Sequence, residues 1–154
     1  MAEQIAIQDR IPDNHCFGCG PDNRQGLQVK SYWTGDDETR CEFTPQSHHC
    51  AGPTHYLNGG IIATAIDCHT ICTAIADGYR QAGREVGDGE KIWFATGRLD
   101  VQYKAPAPID KPVILEAKIV DRSERKTVLH CTLSSGGRLS ATADVVAVRV
   151  PDKW

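Results

Sequence analysis

One carboxylate stands inside an otherwise apolar segment, where it could serve as a general base. Asp67 lies between Ile66 and Cys68, in a stretch whose apolar and small residues recur with helical spacing. Aspartate is a poor residue for a helix interior, and this position is too far along the segment to cap its start. Burying an ionised carboxylate without partners costs roughly several kcal/mol, so a buried Asp67 needs a compensating reason. The alternative is a solvated polar stripe, shared with Thr64 and Asp77, on which Asp67 has no function.

The start of the same segment could stabilise a developing negative charge. It reads Asn58-Gly59-Gly60, and asparagine is a favoured N-cap because its side-chain oxygen accepts a backbone N–H of the first turn. The N–H groups and the dipole of a helix start favour a carbonyl oxygen that is becoming an oxyanion. Glycine lets a ligand approach the backbone closely. The alternative is that Gly59 and Gly60 only make a tight turn into the helix.

One helix and about six strands must position these residues. The helix is predicted from Asn58 to Gly78, and residues 1–26 and 78–91 are predicted to be loops because they are rich in turn-forming or charged residues. Strands are predicted at residues 27–33, 39–43, 93–104, 113–120, 127–133 and 139–150. Within 93–104, odd-numbered residues are predicted on one face and even-numbered residues on the other. A single helix that is apolar on most sides must be wrapped, and one curved antiparallel sheet can do this.

Composition excludes several classes of protein. The chain has 154 residues, 40% of them hydrophobic and 24% charged, which is typical of one globular domain over residues 1–154. A net charge of −3 gives no basic surface, so we expect no nucleic-acid partner. We see neither a basic-then-apolar leader nor about 18 uninterrupted apolar residues, and expect no membrane partner. Seven cysteines, an odd number, favour reduced thiols and a cytoplasmic location.

Several segments together resemble one family. Residues 58–67 resemble the His-Gly-Gly…Asp helix start of hotdog-fold acyl-CoA thioesterases, in the branch of the phenylacetate-degradation type and the mitochondrial acyl-CoA thioesterases. Residues 95–106 are similar to that branch's next strand, a Thr-x-x-Leu pattern that closes on Tyr-Lys/Arg-x-Pro. Arg125-Lys126 and residues 140–143 also resemble that branch. Its N-terminal signature is similar to Cys16-Phe17-Gly18-Cys19-Gly20 with Asn23 and Gly26-Leu27. The resemblance covers nearly all of residues 16–150.

The resemblance implies an α+β hotdog fold, in which a curved antiparallel sheet of about six strands wraps one long central helix. It also implies a homodimer or homotetramer whose sheets join through the strand after the helix, with active sites between subunits. The implied reaction is hydrolysis of a small or medium acyl-CoA, with the thioester carbonyl near the Gly60 N–H of one subunit. Asp67 of the other subunit would be general base or nucleophile, assisted by the Thr96 hydroxyl. No cofactor is expected, because coenzyme A is part of the substrate.

One departure from the family keeps a second function open. Asn58 stands where the family usually has histidine, and an amide can donate a hydrogen bond but cannot become a cation. The alternative is therefore a non-catalytic hotdog module that binds acyl-CoA or only dimerises. A hydratase fits poorly because no histidine precedes Gly59. Further substrate-binding residues are expected to be Gly59 together with four cations that could pair with coenzyme A phosphates, namely Arg98, Lys104, Arg125 and Lys126.

The N-terminal cysteines are candidate metal ligands. Cys16-x-x-Cys19 has the spacing of a zinc knuckle or a redox pair, and further ligands could come from His15, His48, His49 and Cys50. A structural zinc site needs four ligands, and the chain has no second Cys-x-x-Cys. We therefore expect no metal, and a tight turn at residues 16–19. Cys68 and Cys72 are expected to fill the core as small hydrophobic residues.

Overall fold

The long helix begins where the sequence predicts. A computed structural model describes residues 4–151, and helix α1 spans Gly59–Gln81, 23 residues. Asn58 is its N-cap, because Asn58 Oδ1 accepts hydrogen bonds from the backbone N–H of Gly60 (2.7 Å) and of Ile61 (3.3 Å). The predicted start and its physical cause are both confirmed.

The predicted end of the helix at Gly78 is wrong, because α1 continues for another turn to Gln81. Gly78 is required by close packing instead: a Cβ there would lie 2.9 Å from Ile92 Cγ2 and 3.1 Å from Phe94 Cε1. Gly83 follows the C-cap Ala82, and its φ of +73° is a left-handed conformation that glycine adopts without strain and that often terminates helices.

Six strands form one antiparallel sheet, in the order β1-β2-β4-β5-β6-β3. Their bounds are β1 Ser31–Trp33, β2 Glu38–Phe43, β3 Phe94–Tyr103, β4 Val113–Arg122, β5 Lys126–Ser135 and β6 Arg138–Arg149. Helix α1 contacts all six strands, and most of its residues from 62 to 79 are buried against them. The predicted α+β hotdog architecture is confirmed. In the described chain β3 lies at one edge of the sheet and pairs only with β6.

The first predicted strand is shorter in the structure than in the sequence pattern. Residues 27–30 do not join the sheet, since the backbone N–H of Leu27 donates to Phe17 O (2.8 Å) and that of Val29 to Gly18 O (3.0 Å). This segment therefore pairs with the N-terminal loop and holds it against the fold. The loop itself contains one short 3-10 helix, Ile7–Arg10. The leader prediction depends partly on residues 1–3, which lie outside the described residues.

A bulge in β3 overturns the predicted alternation of its faces. The pairing of β3 with β6 shifts between Thr96 and Arg98, so one residue is extra on β3. Phe94 faces the interior before the bulge, whereas Leu99 and Val101 pack on the core after it. The inward side therefore changes from even to odd positions along the strand. The extra residue is Gly97, where a Cβ would lie 2.5 Å from Val148 Cγ2.

Helix α1 is long and apolar enough to cross a membrane by length and composition alone. However, 67% of its most apolar 18-residue stretch is buried inside the fold. That burial is typical of the core helix of a protein that wraps its sheet around it. The apolar pattern of α1 is explained by the sheet.

Candidate functional site

The predicted catalytic carboxylate lies at the wall of a cavity of about 220 Å³. The cavity is formed by α1, the first residues of β3 and the N-terminal loop. Its lining includes Asp67, Ile71, Ile75, Trp93, Phe94 and Thr96. The residues beside the carboxylate are thus mostly apolar, as expected of a site that binds an acyl chain.

The Asp67 carboxylate has one hydrogen-bond partner from the sheet. Thr96 Oγ1 donates to Asp67 Oδ1 at 2.6 Å, which joins the middle of α1 to the residue just before the β3 bulge. Burial raises the pKa of Asp67 above its ordinary value, and the Thr96 hydrogen bond opposes this rise. Among the described residues the other oxygen, Oδ2, accepts no hydrogen bond, and a half-buried carboxylate with a raised pKa and such an oxygen is suited to accept a proton from water. The structure thus brings Asp67 and Thr96 into direct contact.

Asp77, which the sequence offered as a partner of Asp67 on a polar stripe, lies elsewhere. It is buried and accepts hydrogen bonds from Arg122 Nε (3.1 Å) and Arg122 Nη2 (3.0 Å). Arg122 also reaches Asp37 at 2.6 Å. Asp77 is therefore satisfied by an ion-pair network, whereas Asp67 faces the cavity.

At the helix start, the cap changes which groups are available to a ligand. The Gly60 N–H is the predicted hydrogen-bond donor to the thioester carbonyl. In this structure it donates to Asn58 Oδ1. Because that oxygen accepts from the backbone, the Asn58 Nδ2 group is the part of the side chain left to donate. Asn58 and Gly60 are both exposed, so a substrate can reach them.

Tyr103 belongs to this helix start and was missed by the sequence analysis. Its hydroxyl donates to Gly59 O at 2.7 Å, which fixes the last residue of β3 to the first residue of α1. The side chain is 55% exposed, so the tyrosine is not there to fill the core. The sequence places Tyr103 at the end of the predicted strand, just before Lys104. No local sequence pattern indicates its contact with Gly59.

The two halves of the expected site are too far apart within one chain to act on one carbonyl. Seven residues separate Gly60 from Asp67, which at about 1.5 Å per residue is roughly 10 Å along the helix axis. A carbonyl held at the helix start and a water held by Asp67 must lie within about 3 Å of each other. One chain by itself therefore does not bring the helix start and the Asp67 carboxylate to the same carbonyl group.

The four predicted phosphate-binding cations fall into two groups, one near each end of β3. Arg125 and Lys126 lie at the β4–β5 hairpin, and β6 separates them from the part of β3 that carries Thr96. Arg98 follows Thr96 by two residues and is exposed. Lys104 lies just past the opposite end of β3.

Comparisons with known proteins agree with this fold. No family model matches the chain. An 87-residue segment, 56% of this chain, is 29% identical to acyl-coenzyme A thioesterase THEM4 of Mus musculus, and it spans only 32% of that protein's length. The crystal structure of a thioesterase superfamily protein from Shewanella loihica PV-4 aligns with a TM-score of 0.66 and 30% identity, covering 90% of this chain and 96% of that one.

A phenylacetic acid degradation-related protein from Ralstonia eutropha JMP134 has the same fold. Its crystal structure aligns with a TM-score of 0.66 and 18% identity, over 85% of this chain and 92% of that one. The Shewanella protein carries the family assignment, because its match combines 30% identity with nearly full coverage. The chain described here belongs to the thioesterase superfamily of hotdog-fold proteins.

Proposed function

We propose that this protein is an acyl-CoA thioesterase in which Asp67 is the general base. The observation that carries the proposal is the half-buried Asp67 carboxylate, held by Thr96 at the edge of an apolar cavity. A carboxylate in such a place has few structural explanations, since its burial is only partly compensated. The family assignment and the named activity of the mouse relative support the same reaction class.

The proposed reaction uses the two oxygens of Asp67 differently. Oδ1 accepts the Thr96 hydrogen bond, which leaves Oδ2 to accept a proton from a water molecule. The water oxygen attacks the thioester carbonyl carbon, the C–S bond breaks, and the coenzyme A sulfur leaves as a thiolate that takes up a proton. A positioned base typically contributes about 10²- to 10⁴-fold to the rate. Direct attack by Asp67 is the alternative, and single-turnover hydrolysis in heavy-oxygen water distinguishes it by labelling the aspartate.

A second copy of the chain would complete the active site. The edge strand β3 is ten residues long, and such edges are normally paired or covered. Two-fold pairing of β3 with a second β3 runs antiparallel, so the Thr96 end of one strand approaches the Tyr103 end of the other. The helix start that Tyr103 holds would then lie near the partner's Asp67. The carbonyl would be bound by Asn58 Nδ2 and the first turn of α1.

The same pairing of β3 strands would bring all four predicted phosphate-binding cations to one substrate molecule. Arg98, Arg125 and Lys126 of one chain would share a side of the site with the partner subunit's Lys104. These four cations are our candidates for binding the phosphates of coenzyme A. The cavity of about 220 Å³ is smaller than the roughly 300 Å³ at which pockets for drug-sized ligands begin, so we propose a small acyl group. We propose the cytoplasm as its location, in keeping with seven free thiols.

A hydrolysis assay over a panel of acyl-CoA esters tests the proposal. Short aliphatic, long aliphatic and aromatic acyl groups are compared by the rate at which free coenzyme A thiol appears. We expect turnover with small acyl groups, and its loss in Asp67→Asn. The matched control is Asp36→Asn, which removes an exposed carboxylate from the β1–β2 turn and should leave turnover unchanged. Tight acyl-CoA binding by calorimetry without hydrolysis of any ester would instead establish the non-catalytic binding module.

A further inference from the structure

Four cysteine side chains converge beside the cavity, two from the N-terminal loop and two from α1. The Sγ atoms of Cys16 and Cys68 lie 3.7 Å apart, and so do those of Cys19 and Cys72. The sulfur atoms of Cys16, Cys19 and Cys68 all lie within 4.8 Å of one another. Cys68 and Cys72 are four residues apart and so share one face of the helix. All four line the cavity.

We propose that these four thiols form a structural binding site for a soft divalent cation, for which zinc is the best match. Tetrahedral zinc has Zn–S bonds of about 2.3 Å, which places neighbouring sulfur atoms about 3.8 Å apart. Two sulfur–sulfur distances here are 3.7 Å, close to that edge length. Cys72 Sγ lies outside the group formed by the other three sulfur atoms and would move toward them when the ion binds. The sequence argued against zinc because no second Cys-x-x-Cys is present. Helix α1 supplies the missing pair with a different spacing, Cys68-x-x-x-Cys72.

The loop that carries the first pair is shaped for close approach to the helix. The Gly20 N–H donates to Cys16 O at 2.8 Å, closing a tight turn around Cys19. A Cβ on Gly18 would lie 2.2 Å from Cys68 Sγ, and a Cβ on Gly20 would lie 2.3 Å from Cys16 N. Only glycine allows these two approaches, so the turn brings its sulfur atoms onto the helix without hindrance.

Burial and neighbouring donors also suit a closed metal site. Cys19, Cys68 and Cys72 are between 3% and 6% exposed, whereas Cys16 is exposed and leaves a route for the ion. Asn14 Nδ2 contacts Cys19 Sγ at 4.0 Å and is positioned to support a thiolate. Thiols are weak hydrogen-bond partners, so contacts among four of them contribute little stability alone.

The site would have a structural role rather than a catalytic one. Four protein ligands leave no open position for water or substrate on a tetrahedral ion. The ion would bind the N-terminal loop to α1 one residue from Asp67, and so hold the wall of the cavity in place. Two of the histidines that the sequence offers as ligands are engaged elsewhere: His49 accepts from Gln46 N, and His15 is paired with Asp13.

Metal binding is tested directly on the whole protein. Protein purified without chelators is analysed for metals, then stripped, reduced and titrated with Co²⁺, which reports tetrahedral thiolate ligation by its visible and near-ultraviolet absorption. We expect one zinc or cobalt ion per chain. Cys16→Ser and Cys72→Ser should each weaken cobalt binding by more than the roughly 10- to 100-fold typical of lost outer-shell contacts. Cys50→Ser, outside the cluster, is the matched control and should bind like wild type.

Three results would overturn the proposal. The first is reduced wild-type protein that shows no tetrahedral cobalt–thiolate spectrum. The second is equal cobalt affinity in Cys16→Ser and Cys50→Ser, which would show adventitious binding. The third is disulfide formation in protein kept from oxidants. It would appear as an intact mass lowered by two hydrogens and as a peptide cross-linked between Cys16 and Cys68 or between Cys19 and Cys72. Because Cys16 is exposed, its replacement leaves no core cavity, and the test remains valid where Cys72→Ser does not fold.

Discussion

Helix α1 carries two polar side chains only two residues apart, Asp67 and His69, in contrasting surroundings. Asp67 is half-buried beside a cavity and has one described hydrogen-bond partner, Thr96. His69 is fully buried, and both of its ring nitrogens are bonded: Nδ1 to Ser31 Oγ at 2.7 Å and Nε2 to Thr39 Oγ1 at 3.2 Å. The histidine is saturated, whereas the aspartate keeps an oxygen for another molecule.

The hydrogen bonds around His69 determine its protonation state. Gln8 Nε2 donates to Ser31 Oγ at 2.8 Å, so the Ser31 hydroxyl proton is directed at His69 Nδ1. Thr73 Oγ1 donates to His69 O at 2.8 Å, which leaves Thr39 to donate to Thr73 Oγ1 and to accept from Nε2–H. The ring is therefore neutral with its proton on Nε2. Every donor has an acceptor, which is what a structural network requires.

The difference shows how to separate function from structure on one helix. A polar group whose partners are complete stabilises the fold, and a polar group left partly free beside a cavity is available for chemistry. Replacing Asp67 should therefore affect rate, and replacing His69 should affect stability.

The largest expected effect is on the rate of Asp67→Asn. We expect its kcat to fall about 10²-fold or more, because an amide cannot accept the proton from water. Its urea midpoint should stay at or above that of wild type, since a neutral amide is less costly to bury than a carboxylate. Measurement of acyl-CoA hydrolysis and urea unfolding on the same preparation checks both. Unchanged kcat in the folded variant would remove Asp67 from the mechanism.

The reverse pattern is expected for His69→Ala. The substitution leaves a buried cavity and removes one hydrogen-bond partner from each of the Ser31 and Thr39 hydroxyls, so that the Ser31 hydroxyl proton loses its acceptor. Together these should lower the free energy of unfolding by about 2–4 kcal/mol. The kcat of the fraction that remains folded should match wild type. A variant that is stable but inactive would mean that His69, not only Asp67, contributes to the reaction.

The pH dependence of stability should also come from His69. Burial lowers the pKa of His69 from 6.5 to about 4. Below pH 6.5 the unfolded chain takes up a proton that the folded chain does not, so stability falls as the pH is lowered toward 4. The loss approaches about 3 kcal/mol when both states are protonated. Urea unfolding of wild type and His69→Gln across this range should show the variant's smaller slope, and equal slopes would contradict the assignment.

The pH dependence of the rate should come from Asp67 and respond to Thr96. The acid limb of kcat/KM should report one carboxylate, above the ordinary range because burial raises the pKa of Asp67. Thr96→Val removes the hydrogen bond that lowers this pKa, so the limb should move to higher pH. Thr96→Ser keeps the hydroxyl and is the matched control. A limb at the same pH in the valine variant would mean that Thr96 does not act on the carboxylate.

The smallest effect is expected at Asn58, where capping and substrate binding can be separated. Asn58→Ala should cost about 1 kcal/mol of stability through the lost cap. Asn58→Ser keeps a capping oxygen but lacks the amide Nδ2, so its stability should be near wild type while its rate falls. Asn58→His should add a second ionisation to the rate profile near pH 6 to 7 (roughly) without abolishing activity. If Asn58→Ala changes neither stability nor rate, the side chain is only a spacer.

Local rules explain what was predictable about the fold and the site. The start of α1, the six strands and the position of Asp67 follow from spacing along a few neighbouring residues. The predicted end of α1 is wrong because Gly78 is required for close packing and does not terminate the helix. The predicted alternation of faces along β3 is wrong because a bulge at Gly97 shifts the register with β6. A bulge depends on the pairing with the neighbouring strand.

By itself, the sequence determined one apolar helix with an internal aspartate, an asparagine cap before two glycines, and enough strands to wrap the helix. These features depend on periodicity and capping, which act over one or two turns of chain. Only the tertiary structure decided the Tyr103–Gly59 contact, the saturation of His69 and the convergence of the four thiols. The pairs of sulfur atoms in that cluster are 52 and 53 residues apart along the chain. Contacts over such distances arise from packing of whole elements, which residue spacing along the chain does not encode.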